Sequence, residues 1–228
     1  MLKTQFKIEL GKHIEAMFND HCDNPKKGEP NTVVKYVVPV LEMLGWDKMA
    51  DIEFEYKAHN SKKACDIALM LERQKPAVLI EVKPLDDDLR EPHVSQLAYY
   101  LHTEKVRWGI VTNGREWRFY DKKRFSQKKG QKARTLFRLV LNDYKHLDKK
   151  DVSRIADILW VLSRENVTRG FLDAIGDNFL AEFLKGEKQM KKAEFDLSRD
   201  ELKKYIFCKL IKNRHKILSH KTRHLLRG

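Results

Sequence analysis

Two rhythms of hydrophobic and polar residues run along this chain, and the changes between them mark out its elements. Across residues 2–18, Phe6, Leu10, Ile14, Met17 and Phe18 fall on one broad stripe, which predicts an amphipathic helix. A polar stretch over 20–29 reads as a loop, and the apolar run that follows it predicts a second helix, closed by Gly45. Residues 51–57 alternate with period two, as a half-buried strand does. Residues 64–71 and 77–83 are nearly continuous apolar runs and read as strands, joined by the polar segment Glu72-Arg73-Gln74-Lys75-Pro76. Helical spacing returns over 92–104 through Val94, Leu97, Tyr100 and Leu101, and residues 107–112 form another strand. The unit from 77 to 112 predicts a right-handed crossover between parallel strands.

Asn113-Gly114 is the strongest hairpin signal in the chain. A two-residue turn there sets Ile110 opposite Trp117 and Trp108 opposite Phe119, and a strand over 135–141 extends the antiparallel part. Beyond 143 the texture becomes helical, with helices predicted over 152–162 and 171–184 and one or two more within 199–226; Trp160 and Phe179 read as core. The expected fold class is α/β, a mixed sheet flanked by helices with a helical C-terminal extension. Residues 1–142 make the core, and 143–228 form a basic helical region, either a separate domain or a packed layer.

The chemistry gathers in one short constellation: Asp66, then Glu81-Val82-Lys83, then Gln96 and Tyr100. Two carboxylates hold a hard cation through oxygen, and a lysine stabilises charge on a phosphate or positions the attacking water. If the two strands pair about a centre near Arg73-Gln74, Asp66 faces Glu81 across the ladder and Met70 faces Ala77. Glu81 and Lys83, two apart, share that side of the sheet. Arg-Gln is a poor two-residue turn, and a longer or bulged connection shifts this register. A Glu-x-Lys in a strand is common, and the pair alone is as compatible with a solvated edge as with a site. Gln96 and Tyr100, four apart, share a helical face and can point at one target; core packing for the tyrosine is the plainer reading of the pair by itself.

Taken together these motifs resemble the PD-(D/E)XK nuclease superfamily. Asp66 matches the first acid, with Cys65 where the family often has proline; Glu81-Val82-Lys83 matches the E-x-K tripeptide, and Gln96-Leu97-Ala98-Tyr99-Tyr100 the accessory Q-x-x-x-Y motif. The segment from Glu29-Pro30-Asn31-Thr32 to Leu44-Gly45-Trp46 is similar to the opening helix of the N-terminal nuclease domain of type I restriction enzyme R subunits and their stand-alone relatives, over roughly residues 28–142. The resemblance implies a restriction-endonuclease-like sheet and a Mg²⁺-dependent DNA endonuclease, with Mn²⁺ able to substitute. It implies Asp66, Glu81 and the carbonyl of Val82 as metal ligands, Lys83 at the reacting water or phosphate, and Gln96 and Tyr100 as positioning groups. It also implies a fourth acid, for which Glu29 is the candidate and Glu42 the rival; an acid near a helix N-terminus is equally a favourable structural placement.

Composition changes the picture only in its partners. A formal charge of +13 favours a polyanion, nucleic acid before membrane. Lys122 to Arg134 holds seven Lys or Arg and no acid, and 199–228 holds ten against two acids, leaving +5 on the other 198 residues. Lys122, Lys123, Arg124, Lys128, Lys129, Lys212, Arg214 and Lys216 are the candidate contacts to the DNA backbone, against the plain alternative of solvated faces. No apolar run reaches membrane-spanning length, the charged N-terminus lacks a signal-peptide core, and three scattered cysteines read as reduced thiols, so the expected location is cytoplasmic. No phosphate-binding G-x-x-x-x-G-K-[ST] run exists, so translocation would need a helicase or translocase partner chain; a homodimer is the other assembly considered. RNA stays open as a substrate, and the rival reading is a non-cleaving nucleic-acid-binding protein of the same fold within a larger assembly.

Overall fold

The computed structural model describes residues 2–23, 28–57, 64–72, 75–124, 135–141 and 149–177. Six strands form one mixed sheet in sequence order: β1 (Ile52–Lys57), β2 (Ala64–Glu72), β3 (Lys75–Val82), β4 (Trp108–Thr112), β5 (Glu116–Asp121) and β6 (Thr135–Val140). All neighbours are antiparallel except β3 and β4, which run parallel as the crossover requires. Helix α4 (Glu91–Thr103) makes that crossover and covers one face. Val94, Leu97, Tyr100 and Leu101 pack there on Cys65, Ala68, Leu79 and Val111. The approach is close enough that a Cβ on Gly109 would lie 2.8 Å from Leu97 and Leu101.

The opposite face carries the larger core. Helix α1 (Lys3–Asp23) buries Phe6, Leu10, Ile14 and Met17 there, and continues four residues into what the sequence reads as a loop. A second, continuous helix follows as α2 (Glu29–Thr32), a π turn (Val33–Val37) and α3 (Val38–Met43). Pro39 has no amide to donate inside this helix, and the backbone widens just before it, with the Val38 amide reaching back to the Val33 carbonyl. Gly45, at φ 89°, ends it. Helix α5 (Lys149–Leu159), a 3₁₀ turn (Trp160–Leu162), α6 (Arg164–Thr168) and a helical segment at 171–177 complete this layer. Ile155, Leu159, Leu162, Leu172 and Ile175 share one buried cluster with Ile67, Ile80 and Trp117 of the sheet. No helix among the described residues is long and apolar enough to cross a membrane.

Two registers depart from expectation. Between β2 and β3, Ile67 pairs with Ile80, Ala68 with Leu79 and Leu69 with Val78, on the expected centre, but Met70 meets Pro76 and not Ala77 across a bulge. Pro76 cannot donate to the ladder, so the irregularity falls where pairing is weakest. Between β4 and β5, Ile110 faces Phe119 and Thr112 faces Trp117, a shift of two residues from the expected pairs. Asn113 closes the turn and does not sit in its centre: its Oδ1 accepts the amides of Arg115 and Glu116 at 3.0 and 2.7 Å, and Gly114 takes the left-handed φ of 82°. A two-residue shift keeps every side chain on its expected face, because strand side chains alternate with period two.

Candidate active site

Asp66, Glu81 and Lys83 fall on the α4 face of the sheet, since Ala68 and Leu79 pack there while Ile67, Ile80 and Val82 pack on the other side. The ladder between β2 and β3 has Ile67↔Ile80 as its last pair toward this end. One residue further, the Asp66 carboxylate accepts the Val82 amide at 2.6 Å, so the acid is fixed by the strand that carries Glu81. Lys83 follows directly, its amide bonded to the Thr112 carbonyl at the end of β4.

The Lys83 ammonium lies 2.8 Å from Oε1 of Glu81 and 3.0 Å from Oε2 of Glu29. Glu29 arrives from the first turn of α2, in the opposite layer, so the four groups meet where both layers reach the end of β3. Glu42, the rival fourth acid, is exposed near the far end of the same helix. Glu81 is 1 % exposed, and its Oε2 is buried without a hydrogen-bond partner among the described residues. Among the described residues no three His, Cys, Asp or Glu side chains converge as a ready metal cage; here Lys83 stands between two of the acids.

The electrostatics follow from this crowding. Burial, and after it the neighbouring Asp66, raises the Glu81 carboxyl from an ordinary 4.5 to about 7 against the pull of Lys83. Burial raises Asp66 to about 6; the Val82 amide opposes that shift and Glu29 adds to it. Burial alone would lower the Lys83 pKa, but Glu81 and Glu29 outweigh it and hold the ammonium firmly charged. The site is therefore short of positive charge despite its lysine. Cys65 is inert: burial pushes its thiol far up, and Sγ donates to the Ile80 carbonyl at 3.3 Å.

Gln96 and Tyr100 do share a face, with Gln96 Nε2 donating to the Tyr100 hydroxyl at 3.3 Å. The hydroxyl in turn donates to the Ala64 carbonyl at 2.8 Å, and Tyr100 is fully buried. These two residues thus tether the start of β2, two positions before Asp66. Tyr100→Phe is expected to cost about 1 kcal/mol of stability and to slow any chemistry at Asp66 only severalfold. Urea unfolding alongside single-turnover cleavage measures both; a loss as large as that from an acid variant would mean that the hydroxyl touches substrate.

The basic candidates are placed differently from the acids. Lys122 donates to the Leu101 carbonyl at 3.2 Å, and Lys123 pairs with Asp177 at 2.9 Å. Both follow β5 beside the start of β4, the opposite end of the sheet from Lys83. Lys128, Lys129, Lys212, Arg214, Lys216 and the side chain of Arg124 lie outside the described residues, as do residues 178–184, Phe179 and the helices expected over 199–226.

The sequence reading missed the clamp on the loop that leaves Lys83. Asn113 Nδ2 donates to the Asp87 carbonyl at 2.7 Å, and Arg118 donates to the carbonyls of Leu89 and Asp88 at 2.6 and 3.2 Å. The Asn-Gly pair drew attention to the turn itself; only the parallel pairing of β3 with β4 brings it beside residue 83. No curated protein and no solved structure matches the chain. Residues 35–136, which contain Asp66, Glu81, Lys83, Gln96 and Tyr100 but not Glu29, match the family model for the type I restriction enzyme R protein N terminus, a match that supports a relative of that domain in this stretch.

Proposed function

We propose that this chain is a divalent-metal-dependent nuclease that hydrolyses phosphodiester bonds in DNA, as an endonuclease acting in restriction, defence or DNA processing. The observation that carries the reading is the meeting of Glu29, Asp66, Glu81 and Lys83 at the end of β3, with one oxygen of a buried carboxylate unpartnered. The match to the type I restriction enzyme R protein N terminus suggests a nuclease-related role and makes DNA the favoured substrate.

The donors suit Mg²⁺ or Mn²⁺: they are hard carboxylate oxygens, two of the acids are held above their ordinary pKa, and Oε2 of Glu81 has no other use. Asp66 and Glu81 would hold the ion, with the Val82 carbonyl and Glu29 as further oxygens. When bound, such an ion polarises a phosphoryl oxygen and lowers the pKa of a water. Lys83, firmly charged, serves as a fixed cation facing the phosphate and not as a base. Asp66 keeps its position through the Val82 amide, and Gln96 and Tyr100 hold the strand that carries it.

The deciding experiment is digestion of linear, circular and single-stranded DNA, and of RNA, with Mg²⁺, Mn²⁺ or EDTA. Cleavage of circular duplex DNA that EDTA stops and either ion restores is the expected result. Binding of DNA without cleavage under every metal would favour the non-cleaving reading, and preferential loss of RNA would change the substrate. A cytoplasmic setting and a motor-bearing partner chain, or a second copy of this one, belong to the same proposal.

A further inference from the structure

Arg115 carries a half-buried guanidinium whose charge is unpaired among the described residues. Its Nε is buried without a hydrogen-bond partner, and among the described residues its guanidinium has no carboxylate or carbonyl against it. The other arginines of the hairpin are engaged: Arg118 lies 2.5 Å from Oε1 of Glu116, which also pairs with Arg138. Burial raises the Glu116 carboxyl, but these two arginines overcome that and hold it below the ordinary carboxylate range. A buried guanidinium nitrogen left without a partner costs free energy that a ligand can return.

Its backbone, by contrast, is held firmly. The Arg115 amide donates to Oδ1 of Asn113, the Leu141 amide donates to the Arg115 carbonyl at 2.7 Å, and a Cβ on Gly114 would lie 3.1 Å from Tyr36. This turn forms one wall of a cleft of about 350 Å³, whose other wall is the segment from Leu85 to Asp88. Leu85 is two residues from Lys83, so the cleft opens within about 7 Å of it along the chain. Successive phosphates of one DNA strand advance only about 3.4 Å along the helix axis, so a strand with one phosphate at Lys83 runs others past this wall.

We infer that Arg115 is a substrate-binding residue that grips a backbone phosphate of the DNA strand next to the one at Lys83. The inference rests on the nuclease reading above. It also replaces Lys122 and Lys123, already engaged at the far end of the sheet, as the contact nearest the chemistry. The opposite wall sets a limit on the strength of the grip. Asp86 and Asp88 are exposed there and repel a phosphate weakly through water, while Oδ1 of Asp87 is taken by the Leu89 amide at 2.6 Å. One cleft thus predicts mutational effects of opposite sign.

The test is the salt dependence of duplex DNA binding in EDTA, read by fluorescence anisotropy on the full chain. Arg115→Gln should weaken binding about tenfold at low salt and flatten the slope of log K against log salt by about 0.9. Arg115→Lys should keep the slope, and the double change Asp86→Asn with Asp88→Asn should tighten binding. Arg154→Gln, on the exposed side of α5, should do nothing. A wild-type protein that cuts DNA while Arg115→Gln, folded by its melting curve, binds with an unchanged slope overturns the inference and leaves the nuclease reading standing. A wild-type protein that neither binds nor cuts overturns both. Inorganic phosphate at matched ionic strength should not displace the DNA; displacement would mark a free-anion site and overturn the assignment to a polynucleotide.

Discussion

Glu81→Gln is expected to reduce metal-dependent cleavage by about 10³-fold while making the metal-free protein more stable. The two effects share one cause. Glu81 is almost wholly buried, with one oxygen on Lys83 and the other on nothing, and its carboxyl is held up at about 7. Between its ordinary 4.5 and that value the folded protein keeps a proton that the unfolded chain has released, so stability falls as pH rises through this window. Glutamine keeps an acceptor for Lys83 and removes the titration. The variant should therefore melt higher than the wild type in EDTA at about pH 8, and much less so at about pH 5. Mg²⁺ should raise the melting temperature of the wild type and not that of the variant. Wild-type cleavage by Glu81→Gln, or equal stabilisation of both proteins by Mg²⁺, would remove Glu81 from the site.

At Asp66 the choice of substitution decides what is measured. Alanine would orphan the Val82 amide as well as delete a charge, whereas asparagine still accepts that bond, so Asp66→Asn separates chemistry from folding.

Lys83→Met is expected to slow cleavage by about 10²-fold and, unlike the Glu81 change, to destabilise the fold. Removing the ammonium leaves Glu81 and Glu29 facing each other beside Asp66 with no cation among them. Breaking a buried pair in this way costs about 3–5 kcal/mol, and the lower end applies because Glu81 can take up a proton. That escape sets the pH dependence: the raised carboxyl stays neutral in acid and must ionise as pH rises, so the melting deficit grows from about pH 6 to about pH 8.5. Lys83→Arg should recover much of the stability but not the rate, since a planar fork does not replace a compact ammonium between two carboxylates. Melting curves at both pH values with single-turnover rates check this. A variant whose cleavage and DNA affinity fall by the same factor would mark Lys83 as a simple phosphate contact.

The sequence by itself determined the elements of the described residues and named most of the side chains of the candidate site, because both lie in short-range patterns. Helical spacing through Phe6, Leu10 and Ile14 and alternation through Ile52 and Phe54 are local properties, and these two elements formed where their patterns lay. Which strand face carries Asp66, Glu81 and Lys83 is a matter of parity along the chain, so the bulge at Met70 between β2 and β3 left it unchanged. The four-residue interval from Gln96 to Tyr100 likewise fixed their common face, though not that the hydroxyl would bond Ala64.

Tertiary structure alone decided what depends on packing between distant segments. Glu29 reaches Lys83 across 54 positions because the helix it begins crosses the opposite face of the sheet, and no local signal separates it from Glu42. The raised carboxyls come from burial, which is not a property of Asp66 or Glu81 but of the layers over them. The charge runs are silent on position for the same reason. Lysine density says that a polyanion is attracted, whereas the direction of β5 carries Lys122 and Lys123 away from the acids, and the turn before β5 sets Arg115 on a cleft with the segment that leaves Lys83. Sequence patterns specify which side a residue faces; only the packed layers specify what stands opposite it, and the energy of a charge is set by what stands opposite.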